Sequence, residues 1–134
     1  MVHFVAVIDY GFSNRFSILS ALDKLGARAV IANRPEHFKD CDRILFPGQG
    51  HFSNCMDFLS ERGMDQALYS EVMSGKPFMG ICLGYQLLFN RSEEGQMSAG
   101  LGIFDGEVIG FDNPPYDQEE IQGLKIPHMG WNQV

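Results

Sequence analysis

Residues 75–89 read GKPFMGICLGYQLLF and place a cysteine between two glycines, at the join of two apolar segments. The segment KPFMGI (76–81) has the length and apolar character of a buried strand, and LGYQLLFNR (83–91) predicts a helix. Cys82 therefore lies on a predicted strand-to-helix turn, in a Gly-x-Cys-x-Gly pattern. This pattern is the thiol version of the Gly-x-Ser-x-Gly nucleophile elbow, a sharp strand-to-helix turn that exposes a reactive side chain.

A side chain on such a turn points away from both elements, and its backbone is strained. The glycines at 80 and 84 would leave room for this crowded backbone. A helix that begins at Leu83 would favour the reactive thiolate of Cys82, and the Leu83 N–H could stabilise an oxyanion. The alternative is that Cys82 is a small buried hydrophobic residue, as free cysteines commonly are.

Apolar segments alternate with amphipathic ones along most of the chain. A helix is predicted around Ile18, Leu22 and Leu25, which are spaced by four and three residues and are followed by Gly26. Strands and further helices are predicted over the following ranges: strands 3–9, 27–32, 42–46, 76–81 and 107–111, and helices 53–62 and 64–74. This alternation predicts an α/β fold with a doubly wound, mostly parallel sheet. The apolar ending at Val134, with no closing helix, predicts a domain truncated at its C-terminus.

A second glycine-rich segment, FPGQGHF (46–52), follows the third predicted strand. In it, Gly48 and Gly50 flank Gln49. Loops at the carboxyl ends of parallel strands build the sites of doubly wound sheets, so this loop could meet Cys82 and supply another oxyanion donor. The alternative is an ordinary turn, since Pro-Gly is common in turns.

Composition excludes several classes of function. The chain has 134 residues and a net charge of −7, with no Lys/Arg cluster, which argues against nucleic-acid or anionic-membrane partners. No apolar stretch approaches the length of a membrane-spanning helix. The three cysteines (Cys41, Cys55 and Cys82) form no C-x-x-C pair, and the four histidines are scattered singly. We therefore predict a reduced, cytoplasmic protein without a metal site.

The segment GKPFMGICLGYQLLF with the SEEG that follows it resembles the nucleophile segment of class I (triad-type) glutamine amidotransferases. IDYGFSNRFSILSAL, FPGQGHFSNCM, GLGIFDGEV and KIPHMGWNQV are similar to the glutamine amidotransferase subunit of imidazole glycerol phosphate synthase. PHMGWN separates that subfamily from amidotransferases of purine, pyrimidine or anthranilate synthesis. The resemblance runs from Ile8 to Val134. It implies a flavodoxin-like fold and a partial type 1 amidotransferase domain over residues 1–134.

The resemblance also implies a mechanism. Cys82 would attack the side-chain carboxamide of glutamine, ammonia would leave, and water would hydrolyse the resulting thioester. No cofactor is implied. The resemblance assigns the oxyanion hole to Leu83, together with Gln49 or Gly50. It assigns the binding of glutamine to Gly48, Gly50 and Gln86.

In the family, the ammonia passes to a separate cyclase subunit, a (β/α)₈ barrel that forms a heterodimer with the glutaminase and serves histidine biosynthesis. The segments that match partner-facing parts of the family contain Asn14, Pro127, His128, Met129 and Trp131. The alternative for Met129 and Trp131 is that they pack a local core. An exposed aromatic residue beside a methionine is also typical of interfaces.

The sequence departs from the family at three places. Ser13 replaces the second glycine of the usual D-Y-G-x-G-N loop, and Gln49 and His51 stand where smaller residues are usual. The family completes its triad with a His-x-Glu pair downstream of PHMGWN, which this sequence does not include. Delivery of a proton to the leaving ammonia needs a general acid, so we predict little or no glutaminase activity for these residues alone.

Two other functions fit the sequence. A paralogue could use the same chemistry to feed ammonia to another pathway, such as amino-sugar formation for a surface polysaccharide. A flavodoxin-like binding module could also have kept the scaffold after losing catalysis. The intact set of Gly80, Cys82, Gly84 and Gln86 argues against this last alternative, since no structural role requires all four.

Overall fold

The structure is a computed structural model that describes residues 2–11, 14–111, 123, 130, 131 and 133. Its elements follow one another in this order: β1 (Phe4–Ile8), α1 (Arg15–Lys24), β2 (Arg28–Ala32), a 3₁₀ turn (Pro35–Phe38), β3 (Arg43–Gly48), α2 (Phe52–Glu61), α3 (Met64–Met73), β4 (Phe78–Cys82), α4 (Leu83–Gln86), β5 (Phe89–Ser92), β6 (Ser98–Ala99) and β7 (Phe104–Val108).

The first four strands form one parallel sheet in the order β2-β1-β3-β4. The chain moves outward from β1 to β2, then crosses to β3 on the other side of β1. This reversal of direction is the arrangement of a doubly wound sheet, so the predicted fold is confirmed. Because all four strands are parallel, the loops that leave β1, β3 and β4 lie at the same edge of the sheet.

Alternating side chains of the strands face two cores, because successive residues of a strand point to opposite faces. Val5, Val7 and Leu45 pack with Ile18 and Leu22 of α1 on one face. The opposite face belongs to the larger core, which includes strand residues and fully buried residues of α2 and α3: Ala6, Ile8, Ile44, Phe46, Phe52, Leu59, Met64 and Leu68. Helices therefore cover both faces of the sheet.

The helix predicted over 83–91 is wrong beyond its first turn. Helix α4 ends at Gln86, and Phe89–Ser92 is strand β5, which pairs antiparallel with β6 and parallel with β7. Short apolar runs fit a helix or a strand equally well, and here partners on β7 decide the outcome. Asn90 Nδ2 donates to Asp105 Oδ1 at 2.7 Å, and Arg91 forms an ion pair with Glu107. The result is a second, three-stranded sheet.

Two smaller predictions also differ from the structure. The strand predicted over 107–111 is Phe104–Val108. Leu25, predicted on the buried face of α1, is 80% exposed, because the helix ends at Lys24 and Leu25 lies beyond its last turn. None of the helices in the parts of the chain that the structure describes has the length and apolar character needed to cross a membrane.

The contrast between two leucines gives a test of the core. Leu59 is fully buried and Leu25 is 80% exposed, so Leu59→Ala should lower the free energy of unfolding by about 2–5 kcal/mol. The matched change Leu25→Ala should cost less than about 0.5 kcal/mol, because it opens no cavity. Urea unfolding followed by circular dichroism measures both. Equal losses in the two variants would contradict the placement of these side chains.

Candidate active site

Cys82 ends strand β4 and directly precedes α4, so the predicted strand-to-helix turn is present. Its backbone has φ 53° and ψ −115°, and among the residues that the structure describes it is the only non-glycine with positive φ. Such a conformation costs about 1–3 kcal/mol, and strain of this kind clusters at functional sites. The side chain of Cys82 is exposed, so the strained turn holds a thiol at the protein surface.

The glycines around Cys82 are required by close backbone packing. A Cβ on Gly84 would overlap the carbonyl oxygen of Phe46 in β3. A Cβ on Gly80 would lie 2.5 Å from the carbonyl oxygen of Gly84. Any other residue at either position would push the turn off the sheet. The two glycines of the Gly-x-Cys-x-Gly pattern are thus explained by the close packing of the turn against β3 and β4.

The other two thiols lie in different surroundings. Cys41 and Cys55 are buried, and burial raises the pKa of both, that of Cys55 to about 12. At neutral pH these thiols stay protonated, and a protonated thiol is a poor nucleophile. Cys82 is the one exposed cysteine of the three. The alternative in which Cys82 is a buried hydrophobic residue is therefore wrong.

The loop after β3 lies beside the cysteine turn. Gly48 pairs with Cys82 at the end of the β3–β4 ladder. A Cβ on Gly48 would lie 2.8 Å from Leu83 Cβ, so this glycine also permits a close approach. Gln49 and Gly50 follow and are exposed. The structure thus brings together Cys82, Leu83 and the 48–50 loop, the groups that the sequence predicted to share a site.

Tyr10 is a residue of this site that was not predicted from the sequence. It follows β1, and its hydroxyl accepts a hydrogen bond from the Gln49 N–H at 2.5 Å and donates one to the Gln49 carbonyl. Its ring packs edge-on against Phe46 and Phe58, at centroid distances of 6.1 and 6.3 Å. The available signal was its position, directly after a strand at the edge of the sheet where the other loops meet.

A cleft of about 370 Å³ is lined in part by the last residue of α4, Gln86. Its lining comes from α4, the segment after β5 and the end of β7: Gln86, Ser92, Glu93, Glu94, Val108, Ile109 and Gly110. Gln86, predicted to hold a ligand, therefore faces a cavity that also carries two carboxylates. No role was predicted for these carboxylates, although they belong to the SEEG segment that carries part of the family resemblance.

Glu94 connects this cleft to the 46–52 loop. One carboxylate oxygen, Oε2, accepts a hydrogen bond from the Phe52 N–H at the start of α2, at 3.0 Å. The other oxygen, Oε1, lies 3.4 Å from His51 Nδ1. A carboxylate at a helix N-terminus is favourable because it satisfies a free N–H and interacts with the helix dipole. Glu94 thus anchors the far end of the loop whose near end lies beside Cys82.

The residues predicted to face a partner are only partly visible. Asn14 is exposed immediately before α1, and Trp131 is fully exposed. Pro127, His128 and Met129 lie outside the described residues.

Curated relatives agree with the resemblance seen in the sequence motifs. The chain is 42% identical over 130 residues to the imidazole glycerol phosphate synthase subunit HisH of Sulfurimonas denitrificans, covering 97% of this chain and 61% of the relative. It is 46% identical over 130 residues to the HisH subunit of Synechococcus elongatus, covering 97% of this chain and 56% of the relative. The chain thus spans about three fifths of the length of these curated relatives.

Two solved structures share the fold. A glutamine amidotransferase crystal structure superposes with a TM-score of 0.66 at 22% identity, covering 82% of this chain and 59% of that one. A putative peptidase E from Listeria monocytogenes EGD-e gives a TM-score of 0.62 at 15% identity, with 76% and 63% coverage. The family model of the CobB/CobQ-like glutamine amidotransferase domain matches residues 4–116, which include the cysteine turn, the 48–50 loop and the cleft. The chain therefore belongs to the glutamine amidotransferase family.

Proposed function

We propose that the protein containing this chain is the glutaminase subunit of an imidazole glycerol phosphate synthase, which hydrolyses L-glutamine and supplies ammonia to a cyclase subunit in histidine biosynthesis. The observation that carries the proposal is the exposed Cys82 thiol on a strained turn beside the 48–50 loop. The pathway is proposed from the similarity to HisH subunits over nearly the whole chain.

The chemistry begins at the Cys82 sulfur, which attacks the carboxamide carbon of glutamine. The carboxamide oxygen gains negative charge in the tetrahedral intermediate, and backbone N–H groups near the sulfur would stabilise it. We assign these donors to Leu83, which follows the nucleophile, and to Gln49 or Gly50 of the adjacent loop. Collapse of the intermediate breaks the C–N bond, and water then hydrolyses the glutamyl thioester to glutamate and free thiol.

Departure of ammonia requires a proton from a general acid. The family resemblance assigns this role to a His-x-Glu pair downstream of PHMGWN, which is not among these 134 residues. We therefore expect the 134 residues to supply the nucleophile and the oxyanion donors, and to hydrolyse glutamine slowly or not at all by themselves. Activity tests consequently use the full-length protein.

The cleft beside α4 suits an amino acid. The carboxylates of Glu93 and Glu94 would attract the α-ammonium group of glutamine, and the Gln86 amide can hydrogen-bond to its polar ends. The backbone at Gly48 and Gly50 would border the reacting end. A volume of about 370 Å³ is within the range of small-molecule sites.

We assign the partner-facing surface to Asn14, Pro127, His128, Met129 and Trp131. A fully exposed tryptophan is costly to leave in water and is enriched where proteins associate. The partner would be a (β/α)₈ cyclase in a cytoplasmic heterodimer. Direct transfer is chemically useful, because ammonia released into water at neutral pH is protonated and no longer nucleophilic.

The first test measures glutamate release by the full-length protein with its cyclase subunit. Cys82→Ala should lower kcat by at least about a thousandfold, since loss of a covalent nucleophile leaves only the weak catalysis of the remaining site. Cys41→Ala is the control, because Cys41 lies buried away from the turn, and it should keep most of the activity. Hydrolysis that survives in Cys82→Ala would exclude Cys82 as the nucleophile.

The second test measures thiol labelling in the native protein by 6-diazo-5-oxonorleucine, a glutamine analogue that alkylates nucleophiles. Cys82 should be modified, while Cys41 and Cys55 should not, because both are buried and burial raises their pKa values. Peptide mass spectrometry identifies the modified cysteine. Addition of iodoacetamide after denaturation confirms that all three thiols can react. Equal labelling of the three native thiols would support a non-catalytic binding module.

The third test concerns glutamine binding in the cleft. Glu94→Gln removes the charge but keeps an oxygen that can accept from the Phe52 N–H, so α2 should stay anchored. Loss of a charged partner for the α-ammonium should raise KM for glutamine about tenfold or more, with a smaller change in kcat. Glu61→Gln, an exposed carboxylate on α2, is the control and should leave KM unchanged. An unchanged KM in Glu94→Gln would exclude this role.

A further inference from the structure

One hydroxyl group holds the backbone of the loop beside the proposed nucleophile. Tyr10 Oη accepts from the Gln49 N–H at 2.5 Å and donates to the Gln49 carbonyl. These two groups belong to successive peptide units, so a single side chain sets the orientation of both. Burial raises the pKa of Tyr10, so the hydroxyl keeps its proton at neutral pH and can continue to donate.

The loop has the freedom to adopt another orientation. Glycines flank Gln49 on both sides, and Gly50 has φ +109° with open space around the position of a Cβ. Rotation of the peptide units next to glycine meets little steric resistance. Among the described residues, the hydrogen bonds to Tyr10 are the contacts that restrain the Gln49 backbone. The preceding residue, Gly48, is held separately by its pairing with Cys82.

A backbone N–H carries one hydrogen, so the Gln49 N–H cannot bind Tyr10 and an oxyanion at the same time. We propose that the Tyr10 hydroxyl is a latch that holds the Gln49 N–H away from the oxyanion position next to Cys82. The inference rests on the proposed glutaminase function. In the latched state, Leu83 is the donor on the nucleophile side, and the donor from Gln49 becomes available only when its bonds to Tyr10 break. Tyr10 is thus a positioning residue that limits the reaction without touching the substrate.

The test compares Tyr10→Phe with wild type in the full-length protein without its cyclase subunit, by glutamate release. The phenylalanine keeps the edge-on contacts with Phe46 and Phe58 and removes only the hydroxyl. We expect kcat to rise about tenfold, because the loss of two ordinary hydrogen bonds frees a donor that acts in the transition state. KM should change less than about twofold, since the ground-state contacts with glutamine remain. Tyr69→Phe, a half-exposed tyrosine on α3, is the control and should match wild type.

Two further measurements separate the latch from a merely structural role. Exchange of the Gln49 backbone amide hydrogen, followed by NMR, should be slow in wild type and faster in Tyr10→Phe. The rate at which iodoacetamide alkylates Cys82 should be the same in both, because alkylation forms no oxyanion. A kcat that is unchanged or lower, or a Gln49 amide that exchanges equally fast in both proteins, would overturn the proposal.

These outcomes differ from a failure of the proposed function. If wild-type protein with its cyclase subunit releases no glutamate in a Cys82-dependent manner, the glutaminase function is wrong. The amide-exchange comparison still decides whether Tyr10 restrains Gln49. If wild type is active and Tyr10→Phe behaves like Tyr69→Phe in both kcat and exchange, the latch alone is wrong.

Discussion

The site depends on one steric constraint, the contact between the cysteine turn and the backbone of β3. Gly84 lies so close to the Phe46 carbonyl that no side chain fits between them, and a side chain on Gly80 would collide with the Gly84 carbonyl. This contact holds Cys82 at the end of the sheet in a backbone conformation that it would not adopt freely. The core below it, with Phe46 and Leu83 buried, supplies the packing that offsets the strain.

Parallel strands then determine what surrounds the thiol. Tyr10 follows β1, Gln49 follows β3, and Cys82 ends β4, so the three residues meet at one edge although they are far apart in the chain. The second sheet also contributes a residue that holds the loop after β3. Glu94, in the segment between β5 and β6, accepts from the first N–H of α2 and so anchors the end of the 46–52 loop. The loop beside the Cys82 thiol is therefore held at one end by a tyrosine and at the other by a glutamate.

Burial separates the roles of the three cysteines. The same side chain is a core residue at positions 41 and 55, where desolvation keeps the thiol protonated, and an accessible group at position 82. The accessible thiol lies within the region that matches the glutamine amidotransferase family model. The cleft at α4 is lined by two carboxylates, Glu93 and Glu94, together with Gln86.

Elements with local signals could be predicted from the residues alone. Apolar runs located the four strands of the parallel sheet, and the Gly-x-Cys-x-Gly pattern located the turn, because crowded backbone admits only glycine there. The remaining features depend on contacts between distant parts of the chain. Residues Phe89–Ser92 form a strand because they pair with β7. The hydrogen bonds between Tyr10 and Gln49 and between Phe52 and Glu94 join residues 39 and 42 positions apart. Such contacts follow from how strands and loops are brought together in space, which no periodicity along the chain records.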